Sequence, residues 1–164
     1  MSDPALAVRE VTDADEIEAV VPILLLAEPS ERALRWSLEH LSDAVYRADL
    51  AGEAGGGPAA AATMRWHGDP CEIIELGVAE RLHGRGVGRA TVAWLCEQAR
   101  RRGKRAIEVG TANASIGNLA FYQKCGFRFS SVRQDYFRYH RTPVYENGIE
   151  VRDLVVFRRE LGRR

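Results

Sequence analysis

Residues 78–90, VAERLHGRGVGRA, decide how this chain folds. Gly84, Gly86 and Gly88 alternate with Arg85, Val87 and Arg89, after the apolar run CEIIELGVA (71–79) and before a helical pattern. A turn from a buried strand into a helix leaves backbone N–H groups unpaired at the positive end of the helix dipole. Glycines let a ligand approach that main chain closely, so the segment predicts an anion site, and the flanking arginines suit a phosphate. Two familiar phosphate patterns fail. A nucleotide-triphosphate loop needs Gly-Lys followed by Ser or Thr, whereas Gly88 precedes Arg89 and Ala90. The dinucleotide fingerprint G-x-G-x-x-G is replaced by G-x-G-x-G, although Glu108 stands about where a ribose-binding acid belongs. An NAD-binding oxidoreductase therefore stays as a distant alternative.

Working outward, Val87, Thr91, Trp94, Leu95 and Gln98 share one helical face, and Arg100–Arg102 with Gly103 suit a helix end. Upstream, ALAVREV (5–11) reads as a strand and Thr12 as the cap of a helix that Pro22 kinks or breaks. A second helix follows Ser30, with Ala33, Trp36 and Leu41 among its buried positions. AVYRADLA and PAAAATMRW read as strands joined by GEAGGG; the alanine run is a strand by context, since alanine favours helix. Downstream come the strand RAIEVGT, a short helix ASIGNLAFYQKC ended by Gly126, and two last strands in FRFSSVRQDYF and VRDLVVFRREL. The loop between them holds Pro143 and ENG. Neither a repeat nor a linker is visible, which predicts a single domain over 1–164.

The 23 basic and 23 acidic residues cancel, which argues against a nucleic-acid binder. Residues 1–60 nevertheless hold 12 of the acidic and 4 of the basic ones. That split suits a basic half meeting an anion and an acidic half meeting a cation. Three cysteines without CxxC spacing form neither a disulfide framework nor a zinc site, and no histidine spacing suggests a metal. VVPILLLA (20–27) is too short to span a bilayer and follows acidic rather than basic residues, so no membrane association is expected and a cytoplasmic location is.

His83-Gly84-Arg85-Gly86-Val87-Gly88 resembles the pyrophosphate loop of the GNAT superfamily of acyl-CoA N-acyltransferases, (Arg/Gln)-x-x-Gly-x-(Gly/Ala), with His83 departing at the first position. NASIGNLAFYQKCGF (113–127) is similar to the superfamily's Asn, short helix and Tyr-x-Lys-x-Gly-Phe segment. The order of elements matches along essentially the whole chain. The resemblance implies an α/β (α+β) fold with one mixed sheet of about six to seven strands, splayed at strands 4 and 5 and flanked by about four helices.

It also implies acetyl-CoA as acyl donor, without a metal. The backbone of Gly84–Arg89 would hold the pyrophosphate, helped by Arg85 and Arg89. Leu76, Gly77 and Val78 would line the pantetheine arm, with a main-chain N–H near Val78 polarising the thioester carbonyl. Tyr122 matches the general acid that protonates the departing sulfur; otherwise it is packing. Glu75, or Glu72 on the same strand, is the candidate base; otherwise Glu75 is an ion pair with an arginine. Asn113 and Asn118 would contact the pantetheine or cap the short helix, and Lys124 would reach the 3′-phosphate or only solvent. The cysteines read as packing. For the acceptor, Glu28, Glu31, Tyr145 and Glu146 point to a small cationic amine, with Tyr136, Tyr139, His140 and Asn147 nearby in sequence. A peptide or protein amine, a non-catalytic acyl-CoA-binding domain and a homodimer remain alternatives.

Overall fold

The computed structural model describes residues 2–53 and 55–162. Strands β1 (Leu6–Val11), β2 (Ala44–Leu50), β3 (Ala60–Arg65) and β4 (Cys71–Val78) form an antiparallel run, preceded between β1 and β2 by helices α1 (Ala14–Leu24) and α2 (Glu31–His40). Then come α3 (Val87–Arg101), β5 (Ala106–Ala112), α4 (Ile116–Lys124), β6 (Arg128–Arg133), the short pair β7 (Tyr145–Glu146) and β8 (Ile149–Glu150), and β9 (Leu154–Glu160). The main sheet has seven strands in the order β1-β2-β3-β4-β5-β9-β6. Only β4 and β5 run parallel.

The sheet is covered on both faces. On one, Ile73, Ile107 and Phe157 pack with Val92 and Leu95 of α3 and with Tyr122 of α4. On the other, Val45 and Ala61 pack with Val20 and Leu24 of α1 and Leu34 of α2. The alanines of β3 are strand despite their propensity because β3 is paired on both sides and fully buried, where small side chains admit helices closely. No helix among the described residues is long and apolar enough to cross a membrane.

Two irregularities position the site. A bulge in the β3–β4 ladder pairs Thr63 with Glu75 but Met64 with Ile73, leaving Ile74 as the extra residue. Such an insertion reverses the facing of the residues beyond it. Ile73 and Met64 therefore lie in the α3 core, while Glu75 and Thr63 turn toward α1 and α2. The second irregularity is a splay: β4 and β5 pair only from Cys71–Ile73 to Ile107–Val109, and both strands run on beyond that point unpaired with each other.

Several local expectations change. Asp13, not Thr12, caps α1, its carboxylate accepting from the N–H of Asp15 (2.9 Å) and Glu16 (3.3 Å). Pro22 sits in the last turn of α1, and Ser30 caps α2 as expected. Trp36 is 53 % exposed, while Leu34 and Ser37 form the buried side of α2. The long C-terminal loop contains the β7–β8 hairpin, turned by Asn147 and Gly148, both with positive φ.

Candidate active site

From the end of β4 the chain makes one 3-10 turn, Glu80–Leu82, which buries Leu82, and then reaches the glycines. Gly86 takes φ 79° as the N-cap of α3, a left-handed conformation that favours glycine. Arg85 N–H bonds Leu82 O (3.3 Å) and Ala90 N–H bonds Gly86 O (3.0 Å). The N–H groups of Gly84, Gly86, Val87, Gly88 and Arg89 have no acceptor among the described residues, as an anion cradle requires. The Val87 side chain is buried, so only its N–H is offered. The Nε2 of His83 donates to Val78 O (2.9 Å), so the ring ties the loop to the end of β4. Arg85 lies 3.8 Å from Glu53, and Arg89 is paired with Asp3. Beside the loop lies a cavity of about 370 Å³ whose lining includes Arg89, Lys124 and Arg159. Lys124 is exposed and lines that cavity, which Asp3 also lines. Unpaired amides flanked by arginines fit a pyrophosphate.

The splay begins where this loop's strand ends. Ala79 N–H bonds Ala59 O (2.9 Å), so ladder alternation turns the N–H of Val78 away from β3 and toward the opened seam with β5. The same alternation applies to Leu76. Gly77 answers a packing constraint: a Cβ there would lie 2.0 Å from the carbonyl oxygen of Ile23, so α1 could not sit where it does.

Glu75 is 7 % exposed. Ser37 Oγ donates to its Oε1 (2.5 Å) and Thr63 Oγ1 to its Oε2, while Glu75 N–H bonds back to Thr63 Oγ1 (3.0 Å). The arginine partner expected for it is absent among the described residues; Arg65 pairs with Glu72 instead. Burial pushes the Glu75 carboxyl above its ordinary range, the two hydroxyls pull it back, and the charges of Glu28 and Glu72 push it up again. A carboxyl raised in this way accepts a proton more readily than an exposed one. Ser37 and Thr63 escaped the sequence reading. Their one signal was a lone hydroxyl within an otherwise apolar buried face.

Tyr122 lies on the other face of the sheet, its ring against Phe121, Phe127 and Phe157. Burial drives its phenol well above the usual tyrosine range, so it is protonated at neutral pH. Its hydroxyl makes no hydrogen bond among the described residues. Of the asparagines, Asn118 donates to Thr111 Oγ1 (3.2 Å). Asn113 is committed to the loop before β9, donating to Glu150 O (3.0 Å) and accepting from the N–H of Arg152 and Asp153. Neither caps α4, whose N-cap is Ser115. Cys71, Cys96 and Cys125 are buried and free, and burial pushes the Cys71 and Cys125 thiols up to about 11, which suits packing.

On the Glu75 side, Tyr139 Oη donates to Glu28 (3.3 Å), joining the turn after α1 to the segment after β6. The tyrosine is raised by burial and by the Glu28 charge, and Tyr136 feels Glu72, Glu28 and Glu75. Glu28 itself meets the Ser30 N–H (3.0 Å) and no cation among the described residues. The other three expected acceptor residues are not assembled there. Glu31 is exposed and paired with Arg35 (3.3 Å), Glu146 accepts from Ser115 Oγ (2.7 Å), and Tyr145 is 64 % exposed.

The acetyltransferase (GNAT) family model matches residues 17–127. The chain belongs to the GNAT family. As such it is an acyl-CoA-dependent acetyltransferase. It is 36 % identical over 134 residues to the uncharacterised N-acetyltransferase YvbK of Bacillus subtilis, spanning 81 % of this chain and 83 % of that one. Among solved structures, an acetyltransferase of Bacillus subtilis in complex with CoA superposes with a TM-score of 0.80 at 33 % identity, covering 95 % of this chain and 99 % of the other. A GNAT acetyltransferase of Elizabethkingia anophelis with acetyl-CoA bound gives 0.82 at 28 % identity, covering 94 % and 97 %. The dinucleotide alternative falls with this finding, and Glu108 is in any case paired with Arg158 (3.4 Å).

Proposed function

We propose that this GNAT domain moves an acetyl group from acetyl-CoA to a primary amine of a small, cationic molecule by direct attack in a ternary complex. The observation that carries this reading is Glu75, a buried carboxylate held by two hydroxyls beside the opened seam and facing Glu28 and Tyr136. Acetyl-CoA, whose carrier form is bound in the Bacillus subtilis relative, supplies an activated thioester. The amides of Gly84 and Gly86–Arg89 would hold the pyrophosphate with Arg85 and Arg89, and Lys124 the 3′-phosphate. Leu76 to Val78 would line the pantetheine, Val78 N–H polarising the carbonyl oxygen. Glu75 takes the proton of the attacking amine. Tyr122, protonated and on the opposite face, returns one to the departing sulfur. Glu28, with no cationic partner among the described residues, favours a positively charged acceptor.

The homodimer expected as an option has its support in β6, an edge strand exposed along its length with Phe129 and Val132 bare. The buried free thiols agree with a cytoplasmic location. Calorimetric titration with acetyl-CoA, with NAD as control, tests the cofactor site: micromolar binding of acetyl-CoA alone is expected. A thiol-release screen then compares diamines and cationic amines with neutral amines and peptides. Preference for peptides would overturn the small-molecule reading.

A further inference from the structure

The geometry points to Ser37 and Thr63 as the positioning pair that keeps the Glu75 carboxylate ionised and aimed at the acceptor amine. This rests on the reading of Glu75 as the base. Thr63 stands directly across the β3–β4 ladder from Glu75 and is fully buried. Its Oγ1 accepts the Glu75 N–H, so one lone pair is spent and its hydrogen is directed to Oε2. Ser37 arrives from a different element, α2, is 5 % exposed, and serves Oε1 at 2.5 Å. Each carboxylate oxygen therefore has one hydroxyl donor and keeps acceptor capacity for an ammonium or a water.

The choice of hydroxyls matters chemically. An arginine would hold the carboxylate ionised as a permanent counter-ion and make it a poor base, whereas two neutral donors lower its proton affinity only part of the way, offsetting burial and leaving a carboxylate that still accepts a proton. The charged and titratable groups facing Glu75 are Glu28 after α1, Glu72 on β4 with its Arg65 partner on β3, and Tyr136 after β6. The two carboxylates oppose its ionisation. The hydroxyls are what hold the proton off until an amine delivers one. The bulge at Ile74 places Glu75 on this face, and α2 closes the arrangement.

The test is carried out on the full chain and needs no identified acceptor. Glutamate labelled with carbon-13 at the carboxyl is titrated by NMR, with Glu75→Gln locating the Glu75 resonance. Hydrogen bonds to a charged group of the usual strength predict that Ser37→Ala and Thr63→Val each move the Glu75 midpoint up by about one to two pH units. Thr63→Ser, which keeps the hydroxyl, leaves it in place. With an acceptor from the thiol-release screen, the acidic limb of the pH–rate profile moves by the same amount, and turnover lost at neutral pH returns at higher pH. In a Glu75→Gln background, Ser37→Ala changes the profile no further. If Thr63→Val does not fold, Ser37→Ala decides alone. An unmoved midpoint in Ser37→Ala overturns the proposal. Should Glu75→Gln abolish the acidic limb while Ser37→Ala leaves it unshifted, the base stands and only the positioning role falls. A Glu75→Gln enzyme with the unaltered profile removes both.

Discussion

If Arg89 serves the pyrophosphate as proposed, Asp3 competes with the cofactor for it. Its carboxylate pairs with Arg89, and a Cβ built on Gly86 would stand 3.9 Å from Asp3 Oδ1 and 3.3 Å from Pro4 Cδ. The segment before β1 thus lies against the N-terminal turn of α3, where the unpaired amides are. A pyrophosphate recruiting Arg89 must first displace that carboxylate, so Asp3→Ala should tighten acetyl-CoA binding. Both side chains are about half exposed, at 55 % for Arg89 and 50 % for Asp3, which makes this a surface ion pair. Such pairs are worth about 0.2–1 kcal/mol, so affinity should rise by about 1.4- to 5-fold. Calorimetry at low salt measures it. Near 1 M salt, where the screening length falls to about 3 Å, the gain should shrink. Glu39→Gln, which removes a negative charge from the exposed side of α2, corrects for the change in net charge. Unchanged or weaker binding by Asp3→Ala at low salt would refute the reasoning, because Arg89 would then not be a phosphate ligand.

Three further outcomes are expected. Gly77→Ala forces α1 away from β4, since its Cβ would lie 2.0 Å from the Ile23 carbonyl oxygen. Overpacking of this kind costs about 1–3 kcal/mol, a fall in Tm of about 2–12 °C, read by thermal unfolding; an unchanged Tm would deny the contact. Tyr122→Phe should lower turnover about tenfold or more while calorimetry finds acetyl-CoA affinity unaltered, and full activity at neutral pH would remove Tyr122 from the acid role. Glu75 has a folded-state affinity for protons raised by burial, so the native protein loses stability as pH rises through its folded value. The Tm of Glu75→Gln relative to the native protein should therefore be most favourable near pH 8 and lose that advantage as pH falls toward the ordinary carboxylate range. A Tm difference independent of pH would contradict the shift.

What the sequence made legible was local chemistry. The glycine turn before a helix pointed to exposed amides for an anion, and Gly126 was expected to end α4; the structure adds positive φ at Gly84, Gly86 and Gly126, and each reading rests on residues within a turn of one another. What the sequence could not show lay at long range. Polar side chains such as His83 and Asn113 look available in a motif, yet backbone groups at Val78 and at residues 150–153 claim them. Trp36 looked like the buried anchor of α2, which hid Ser37; the helix instead buries Leu34 and leaves the indole stacked on His40 at the surface. Glu28 and Glu31 are nearly adjacent in sequence, but the first meets Tyr139 across the fold and the second is neutralised by Arg35 on its own helix.

The bulge at Ile74 is the deepest of these hidden features, and it explains why the site needs an opened sheet. Strict alternation along CEIIELGV would put Glu75 on the face of Cys71 and Ile73, deep in the α3 core, where an ionised carboxylate has no donor. The extra residue moves it to the α1–α2 face, where Ser37 and Thr63 serve it. Tyr122 stays behind on the α3–α4 face. A closed sheet would then stand between the proposed base and the proposed acid. Pairing between β4 and β5 stops at Ile73 and Val109, short of Glu75, and the seam that follows is where both faces can address one bound thioester. On the proposed mechanism the bulge and the splay are complementary: the first sets the proposed base and acid on opposite faces, and the second would let the reaction run between them.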